Sequence, residues 1–186
     1  YCNQYLAMAG DTDATMSAEI RFVRALHYFL LMDGWGNIPF TLEPMTKPEQ
    51  RSRAQMYEWL EQELIGIEPA LSEAKAKKST DAGYGRVDKA ACWLLLSRLY
   101  LNSEIYTGTA QWQKAKEYAD KVIKSSYRLN TVGKGGWTAY QMLFMGDNGE
   151  TDAAYEALLP LLQDGLTTTS WGTSLFLIAG CFDGEM

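Results

Sequence analysis

The sequence has little of what most metal sites and catalytic centres require. Its 186 residues include three cysteines and one histidine, and no two cysteines are close in the chain. Such cysteines build neither a disulfide framework nor a zinc site, and one histidine excludes a His-rich metal centre. His27 falls within a helical pattern beside Leu26 and Tyr28, which favours a structural role. Cys92 interrupts an apolar helical pattern, so we expect it in the core as a small apolar residue.

Long apolar runs and clusters of basic residues are also lacking. The longest run, Ala25 to Met32, contains His27 and is far shorter than the roughly 20 residues that span a bilayer. The formal net charge of −6 argues against nucleic acid as a partner. The first residues have neither the charged region nor the apolar region of a signal peptide. Either the protein is intracellular, or its beginning lies upstream of this sequence.

No group of residues has the spacing of a known catalytic or ion-binding motif. The 23 aspartates and glutamates include no pair whose positions mark it as the acid and base of a glycosidase. Gly133-Lys-Gly-Gly136 lacks the spacing of a phosphate-binding loop. Asp11-Thr-Asp13 and Asp147-Asn-Gly-Glu150 lack calcium-loop spacing, and turn chemistry explains them. We therefore expect no catalytic residues, no cofactor and no metal.

Two predicted helices between Arg86 and Leu129 carry the strongest structural signal. The first is apolar on nearly every side, so we expect it to be covered on two sides. The second has one apolar face and a charged remainder, which is typical of a surface helix. Pairs of this kind are the units of α-solenoids. The first helix has one stripe of Val87, Ala90, Ala91, Leu94, Leu95 and Leu99 and another of Trp93, Leu96 and Tyr100; the second places Trp112, Ala115, Ala119, Val122 and Ile123 on one face.

Arg98 is an unusual residue within the first helix of this pair. It lies among leucines in a segment that the pattern predicts to be buried on two sides. An unpaired charge in such a place costs several kcal/mol. We therefore expect Arg98 to pair with an acidic residue or with carbonyl groups of a neighbouring segment.

Two further helices precede this pair, and the pattern changes after it. A helix is predicted over 17–32, with Ser17 as N-cap and two glycines, Gly34 and Gly36, at its end. Ser52-Arg-Ala-Gln55 is a capping box that opens another helix. The chain becomes rich in glycine, threonine and serine after residue 130. The prediction is a helical region over 1–130 and an irregular, loop-rich region over 131–186. The inward residues of the Ser52 helix are Met56, Trp59, Leu60, Leu64 and Ile67.

The central pair resembles a tetratricopeptide repeat with a longer connection than usual. The order of segments along most of the chain resembles the SusD/RagB family of outer-membrane nutrient-binding lipoproteins. The segments that carry this resemblance are Ala18 to Leu31, Gly34-Trp-Gly-Asn-Ile-Pro-Phe40, Arg51 to Leu64, Gly85-Arg-Val-Asp-Lys-Ala-Ala91, Leu96-Ser-Arg-Leu-Tyr-Leu101, Trp112 to Leu129, Tyr140 to Gly149 and Gln163-Asp-Gly165.

The resemblance implies an all-α fold and a non-catalytic function. The implied fold is a tetratricopeptide-like α-solenoid framework followed by an irregular C-terminal part. Members of the family bind an extracellular nutrient, usually a glycan, and deliver it to a TonB-dependent, SusC-like transporter. The implied location is the surface of the outer membrane. Because members of the family are several times longer than a single domain, we expect this chain to lack both ends of the protein, including the lipid anchor.

Tryptophans in loops are the candidate glycan-binding residues, since aromatic rings stack on sugar rings. Trp137 and Trp171 lie in glycine-rich or polar loops and are the leading candidates, ahead of Trp35. The tryptophans on helical stripes are expected in the core instead; these are Trp59, Trp93 and Trp112. The alternative function is that of a tetratricopeptide-type scaffold, which binds a protein or peptide in the groove between its helix pairs.

Overall fold

The computed structural model describes residues 1–10 and 12–162, and the chain is mostly α-helical. Two strands of three residues each, which the sequence did not predict, form a small antiparallel hairpin between two of the helices. The elements are α1 (Cys2–Ala9), α2 (Ala14–Trp35), β1 (Ile38–Phe40), β2 (Glu49–Arg51), α3 (Arg53–Ile67), α4 (Lys89–Leu101), α5 (Ser103–Thr107) and α6 (Trp112–Ile123).

Helix α2 is longer than the sequence indicated at both ends. Its N-cap is Asp13, whose side chain accepts a hydrogen bond from the Met16 amide, so the prediction of Ser17 as N-cap was wrong. The Ser17 hydroxyl instead donates to the Gly10 carbonyl. Gly36 ends the helix, as expected, with a φ of 77° that favours glycine. The hairpin follows, pairing Ile38 with Arg51.

Helix α3 begins as its sequence predicted. The Ser52 hydroxyl accepts a hydrogen bond from the Gln55 amide at 3.3 Å, and the Gln55 side chain accepts one from the Ser52 amide at 2.9 Å. Both contacts of the capping box are therefore formed. Helix α3 packs against α2, and its predicted inward aliphatic positions are buried.

Helices α4 and α6 form the second pair, with the Ser97 hydroxyl donating to the Ala115 carbonyl at 2.8 Å. Residues from both pairs contribute to one hydrophobic core, which includes Cys92 as expected. The all-α, tetratricopeptide-like prediction is confirmed. The predicted polar connection between α4 and α6 contains a short helix, α5, because Tyr106 turns inward and is buried.

Helix α4 is covered on two sides, as expected, by α6 and by α2 and α3, but one side of the helix stays exposed in the described part of the chain. Leu94, which we placed in the buried stripe, is 41% exposed, and Leu101 is 59% exposed. Arg98 is also exposed and has no carboxylate within 4 Å in the described part of the chain, so its predicted ion pair is absent there. Its guanidinium carbon lies 5.3 Å from the centroid of the Phe29 ring instead. The physical reason is that α2, α3 and α6 cover the other sides of α4, and no described element covers this one.

The prediction that Trp112 is a core residue was also wrong. It is the first residue of α6 and is 62% exposed, because the helix buries the neighbouring face around Ala115. Ile123, at the other end of α6, is 75% exposed. Trp59 and Trp93 are partly buried. Trp59 packs edge-on against Phe40 with ring centroids 4.9 Å apart.

Buried carboxylates join elements that lie far apart in the sequence. Glu63 on α3 accepts hydrogen bonds from Arg21 at 2.6 Å and Arg24 at 2.9 Å, both on α2. Burial raises the pKa of Glu63, but the hydrogen bonds from these guanidinium groups outweigh it, so the pKa lies below its usual value. Glu19 on α2 pairs at 2.6 Å with Arg86, which precedes α4. The Glu63 contacts fix α2 against α3, and the Glu19–Arg86 contact joins α2 to the segment before α4.

Asp88 is the N-cap of α4 and is almost completely buried. One carboxylate oxygen accepts from the amides of Ala90 and Ala91, at 2.9 and 3.2 Å. The other oxygen accepts from the Lys75 amide at 3.1 Å and from the Tyr127 hydroxyl at 2.8 Å. Burial raises the pKa of Asp88 against the lowering effect of these hydrogen bonds. One side chain thus joins α4 to two segments outside it.

Residues 124–162 contain two short 3₁₀ helices, Gln141–Phe144 and Asp152–Glu156, and no α-helix. This is consistent with an irregular, loop-rich region, whereas its boundary at residue 131 stays a prediction. Within the described residues, no helix combines the length and the apolar character needed to cross a membrane.

Candidate functional site

Trp137 is presented by a tight turn at the start of the irregular region. The amide and carbonyl of Lys134 exchange hydrogen bonds with those of Trp137, at 3.1 and 3.0 Å. The two residues between them, Gly135 and Gly136, have φ values of 62° and 88°. Positive φ at both central positions is the requirement of a type I′ turn, which explains the glycine pair. The turn leaves Trp137 53% exposed.

Tyr140 and Phe144 follow on the same segment and are also exposed, at 70% and 72%. Their ring centroids lie 5.2 Å apart in an edge-to-face arrangement. They flank the buried Met142, which anchors the 3₁₀ helix between them. We call Trp137, Tyr140 and Phe144 the aromatic segment. Exposed aromatic residues at this density are uncommon on a surface without a ligand or partner.

Hydrogen bonds hold the loop that carries the aromatic segment. The Asn130 side chain donates to the Ala139 carbonyl at 2.8 Å and to the Val132 carbonyl at 3.2 Å. The Asn130 amide donates to Glu156 at 2.9 Å, and this contact fastens the loop to the last 3₁₀ helix. The conformation of the loop therefore does not depend on burial of its aromatic rings.

An open cleft of about 910 Å³ lies beside this loop. Leu143, which lies within the aromatic segment, belongs to its lining, so the cleft and the segment adjoin each other. The volume is in the range of small-molecule sites, ~300–1,000 Å³. The polar side chains of the lining are those of Ser79, Tyr84, Asp147, Asn148, Glu150 and Glu156.

The floor of the cleft is tied to the helical framework by several contacts. The Ser79 amide donates to the Gly149 carbonyl at 2.7 Å. Lys78 pairs with Asp152 at 2.8 Å, and its hydrogen bond lowers the pKa of that carboxyl. The Arg128 amide donates to the Tyr155 carbonyl at 3.1 Å, and its guanidinium carbon lies 4.4 Å from the Tyr155 ring centroid. The helical region thus positions the cleft.

The chemistry offered by this surface is stacking and hydrogen bonding. Aromatic rings, carboxylates, an amide and hydroxyls lie together, and these groups bind polyhydroxylated rings. His27 is exposed on α2, where Nδ1 lies 2.8 Å from the Val23 carbonyl, and it is not part of the cleft. Among the described residues, no three His, Cys, Asp or Glu side chains are grouped so that they could hold a metal ion.

Of the three loop tryptophans that the sequence analysis named as candidates, the structure describes Trp137 and Trp35. Trp137 is exposed on the loop that adjoins the cleft, although it does not line the cleft, whereas Trp171 lies outside the described residues. A role of either residue in binding stays a prediction. Trp35 is 74% exposed at the end of α2 and does not line the cleft. The sequence analysis did not single out Tyr140 and Phe144 as candidate binding residues; their i, i+4 spacing was the available signal.

Comparison with known proteins gives consistent matches. No sequence model of a protein family matches the chain. The chain is 42% identical over 176 residues to the starch-binding protein SusD of Bacteroides thetaiotaomicron, an alignment that covers 92% of this chain and 30% of SusD. It therefore spans less than a third of the length of this relative.

Solved structures share the fold. Surface glycan-binding protein A from Bacteroides uniformis superposes with a TM-score of 0.62 and 26% identity, over 81% of this chain and 34% of that one. A SusD-like carbohydrate-binding protein from Bacteroides fragilis gives a TM-score of 0.62 at 23% identity, over 77% of this chain and 27% of that one. The paired helices, their order along the chain and the identity to SusD lead to one assignment: the chain belongs to the SusD/RagB family.

Proposed function

We propose that the protein binds a glycan without catalysing its breakdown, and that the aromatic segment beside the cleft contributes to binding. The observation that carries this proposal is the presence of three exposed aromatic rings on a loop that adjoins, through Leu143, a cleft lined by hydroxyl, amide and carboxylate groups. The names of two relatives support it, since one is a starch-binding and the other a surface glycan-binding protein.

The aromatic rings and the cleft would have complementary roles. Sugar rings have apolar C–H faces, and exposed aromatic rings offer flat surfaces of matching size. Their hydroxyl groups both donate and accept hydrogen bonds. Carboxylates such as Glu150 accept from these hydroxyls, while Asn148 and Tyr84 both donate and accept. The combination binds sugars without requiring a nucleophile or a general acid.

The cellular part of the proposal rests on family membership. The bound glycan is passed to a TonB-dependent, SusC-like transporter in the outer membrane. The protein is held at the cell surface by a lipid anchor. The cheapest support for this part is a neighbouring gene for such a transporter; disruption of that gene should abolish uptake of the glycan.

Glycan binding is tested by affinity electrophoresis of this chain in gels that contain single polysaccharides. We expect at least one polysaccharide to retard the chain, and Trp137→Ala or Phe144→Ala to weaken its binding about tenfold, which corresponds to ~1.4 kcal/mol. The matched control is Trp112→Ala, which removes another exposed tryptophan, at the start of helix α6 and outside the cleft lining. Incubation with the retarding polysaccharide should release no new reducing ends.

Two results would contradict the proposal. If no polysaccharide in a broad panel retards the chain, glycan binding by this part of the protein is unsupported. If Trp112→Ala weakens binding as much as Trp137→Ala, the aromatic segment is not the site.

A further inference from the structure

Tyr84 lines the cleft from the helical framework, on the segment that precedes α4. Its amide donates a hydrogen bond to the Asp81 carbonyl at 3.2 Å, and the residue is partly buried. Burial raises the pKa of the Tyr84 hydroxyl above its ordinary value, so the group stays a neutral phenol at neutral pH. It can therefore both donate and accept a hydrogen bond.

The Tyr84 hydroxyl forms no hydrogen bond with any described residue. Tyrosine hydroxyls that fold inward usually find a partner. Five tyrosine hydroxyls of this chain form such bonds with other segments; they are those of Tyr28, Tyr57, Tyr100, Tyr106 and Tyr127. Because Tyr84 lines the cleft instead, a bound molecule can supply the partner that the described residues do not.

Gly149 lies directly against this hydroxyl and also lines the cleft. A Cβ atom at position 149 would lie 3.0 Å from the Tyr84 oxygen and 3.5 Å from Ser79 Cβ. The Ser79 amide fixes this contact, since it donates to the Gly149 carbonyl at 2.7 Å. The φ of Gly149 is not positive, so the backbone conformation does not require glycine there. What the glycine provides is space beside the Tyr84 hydroxyl.

We propose that Tyr84 is a specificity-determining residue of the cleft, and that Gly149 keeps its hydroxyl accessible to the ligand. The inference rests on the proposed function, because the partner of the Tyr84 hydroxyl is a free hydroxyl group of a sugar ring. A sugar that is O-methylated at this position cannot donate, and its methyl group needs the space beside Gly149. The ligand class is therefore a glycan whose ring hydroxyls are unsubstituted.

Isothermal titration calorimetry with the polysaccharide that retards the chain most strongly tests the role of Tyr84. Tyr84→Phe removes only the hydroxyl oxygen and should weaken binding about threefold to tenfold, the value of one neutral hydrogen bond. The matched control is Tyr118→Phe on α6, whose hydroxyl also forms no hydrogen bond with a described residue and lies outside the cleft lining. It should change the affinity less than about twofold.

A partially O-methylated form of the same polysaccharide tests the ligand class. The unmodified protein should bind the methylated form at least about tenfold more weakly than the native form. Tyr84→Phe should reduce this difference, because phenylalanine offers neither form a hydrogen bond. Tyr118→Phe should leave the difference as it is.

Gly149→Ala tests the space beside the hydroxyl. Its added methyl group should weaken binding of the native polysaccharide about as much as Tyr84→Phe, and the two losses should not add in the double variant. The matched control is Gly34→Ala, which adds a methyl group to an exposed position of α2 where no atom lies within 4 Å. It should leave the affinity unchanged.

Urea denaturation separates a role in binding from a role in the fold. Tyr84→Phe should leave the midpoint unchanged; a lower midpoint would show that the hydroxyl is bonded within the polypeptide, and would overturn the inference. Binding that Trp137→Ala weakens and Tyr84→Phe does not would overturn the inference and leave the proposed function standing. Absence of binding to every polysaccharide would contradict both. Additive losses in the double variant would overturn the role of Gly149.

Discussion

Asp88 shows how much of this structure depends on single polar residues. Its carboxylate accepts four hydrogen bonds, from two amides of its own helix, one amide 13 residues earlier and a hydroxyl 39 residues later. Each lone pair that a buried carboxylate offers is thereby matched with a donor. Removing the side chain would leave buried donors without acceptors, and such donors cost more than the net value of the bonds lost.

Asp88→Ala should therefore lower the free energy of unfolding by about 2–4 kcal/mol, because it removes a helix cap and leaves a buried hydroxyl and amide unpartnered. Asp88→Asn should cost less, since an amide oxygen still caps the helix. Urea denaturation followed by circular dichroism measures both. The control is Ser52→Ala, which removes an exposed N-cap and should cost ~1 kcal/mol. Equal losses for Ser52→Ala and Asp88→Ala would contradict this account of Asp88.

Local signals in the sequence predicted the capping box of α3 but not the N-cap of α2, and distant contacts were not predictable. The capping box of Ser52 and Gln55 is encoded within four residues and forms as expected. The partners of Asp88 lie on segments with no pattern that links them. Arg98 is an example of a failed prediction. Its apolar neighbours correctly indicated a helix, but whether this side of the helix is buried depends on other segments of the polypeptide.

At the scale of elements, buried ion pairs fix the packing of α2 against α3. Glu63 is 9% exposed and receives hydrogen bonds from two arginines, one of which, Arg24, is also mostly buried. Its pKa is lowered in the folded chain. A carboxyl with a lowered pKa adds stability above its unfolded value, about 4.5, and this contribution is lost as the pH falls through the folded value.

The unfolding free energy should therefore decline on acidification below about pH 4.5, and Glu63→Gln should flatten part of that decline. At neutral pH, Glu63→Gln should destabilise the chain by about 3–5 kcal/mol, because two guanidinium groups lose their counter-charge. Urea denaturation at pH 7 and at pH 3 measures the effect. Glu58→Gln, an exposed change on the same helix, should leave the pH dependence as in the wild type. If both variants behave alike, the ion pairs of Glu63 do not contribute to the stability of the chain or to its pH dependence.

Helices with a long apolar repeat were predicted from the sequence, whereas the five-residue helix α5 was not. Helices α2, α3, α4 and α6 all have long apolar periodicity, and each was expected. Helix α5 has only five residues and was missed, since one turn shows no repeat. The face of α6 was displaced as well, because small residues around Ala115, rather than Trp112, allow the close approach to α4.

At the scale of the whole molecule, we expect the negative charge of the protein to favour neutral glycans over anionic ones. The formal net charge is −6, and the cleft lining contains three carboxylates, Asp147, Glu150 and Glu156. None of the described lining residues is a lysine or arginine. Asp147 pairs with Lys134 at 3.8 Å, whereas Glu150 and Glu156 form no ion pair with a described residue. An anionic glycan would therefore meet repulsion from these two carboxylates, and a neutral one would meet acceptors for its hydroxyl groups.

If glycan binding is established, the neutral polysaccharide that binds best should lose affinity when it is carboxymethylated, by about tenfold at low salt and less at high salt. Isothermal titration calorimetry measures both ligands. Asp147→Asn with Glu150→Gln should reduce the discrimination. The control pair Glu58→Gln with Glu117→Gln makes the same change of charge on α3 and α6 and should leave it intact. Stronger binding of the carboxymethylated form would contradict this electrostatic selection.

The order of segments predicted the fold and the family, but only part of the candidate site. Trp137 was identified because it lies in a glycine-rich loop rather than on the apolar stripe of a helix. The cleft beside it is assembled from residues 79 and 84 and from residues 143–162, which no local pattern connects. Trp171 remains a prediction.

The glycine turn before Trp137 fixes where residue 137 lies, whatever side chain it carries. Backbone hydrogen bonds and two positive φ angles place the residue, so the loop does not require an indole there. Other aromatic or polar side chains could occupy the same position without rearranging the framework. Related chains could thus acquire new ligand preferences by exchanging one residue, while the helix pairs that support it stay under constant selection for stability.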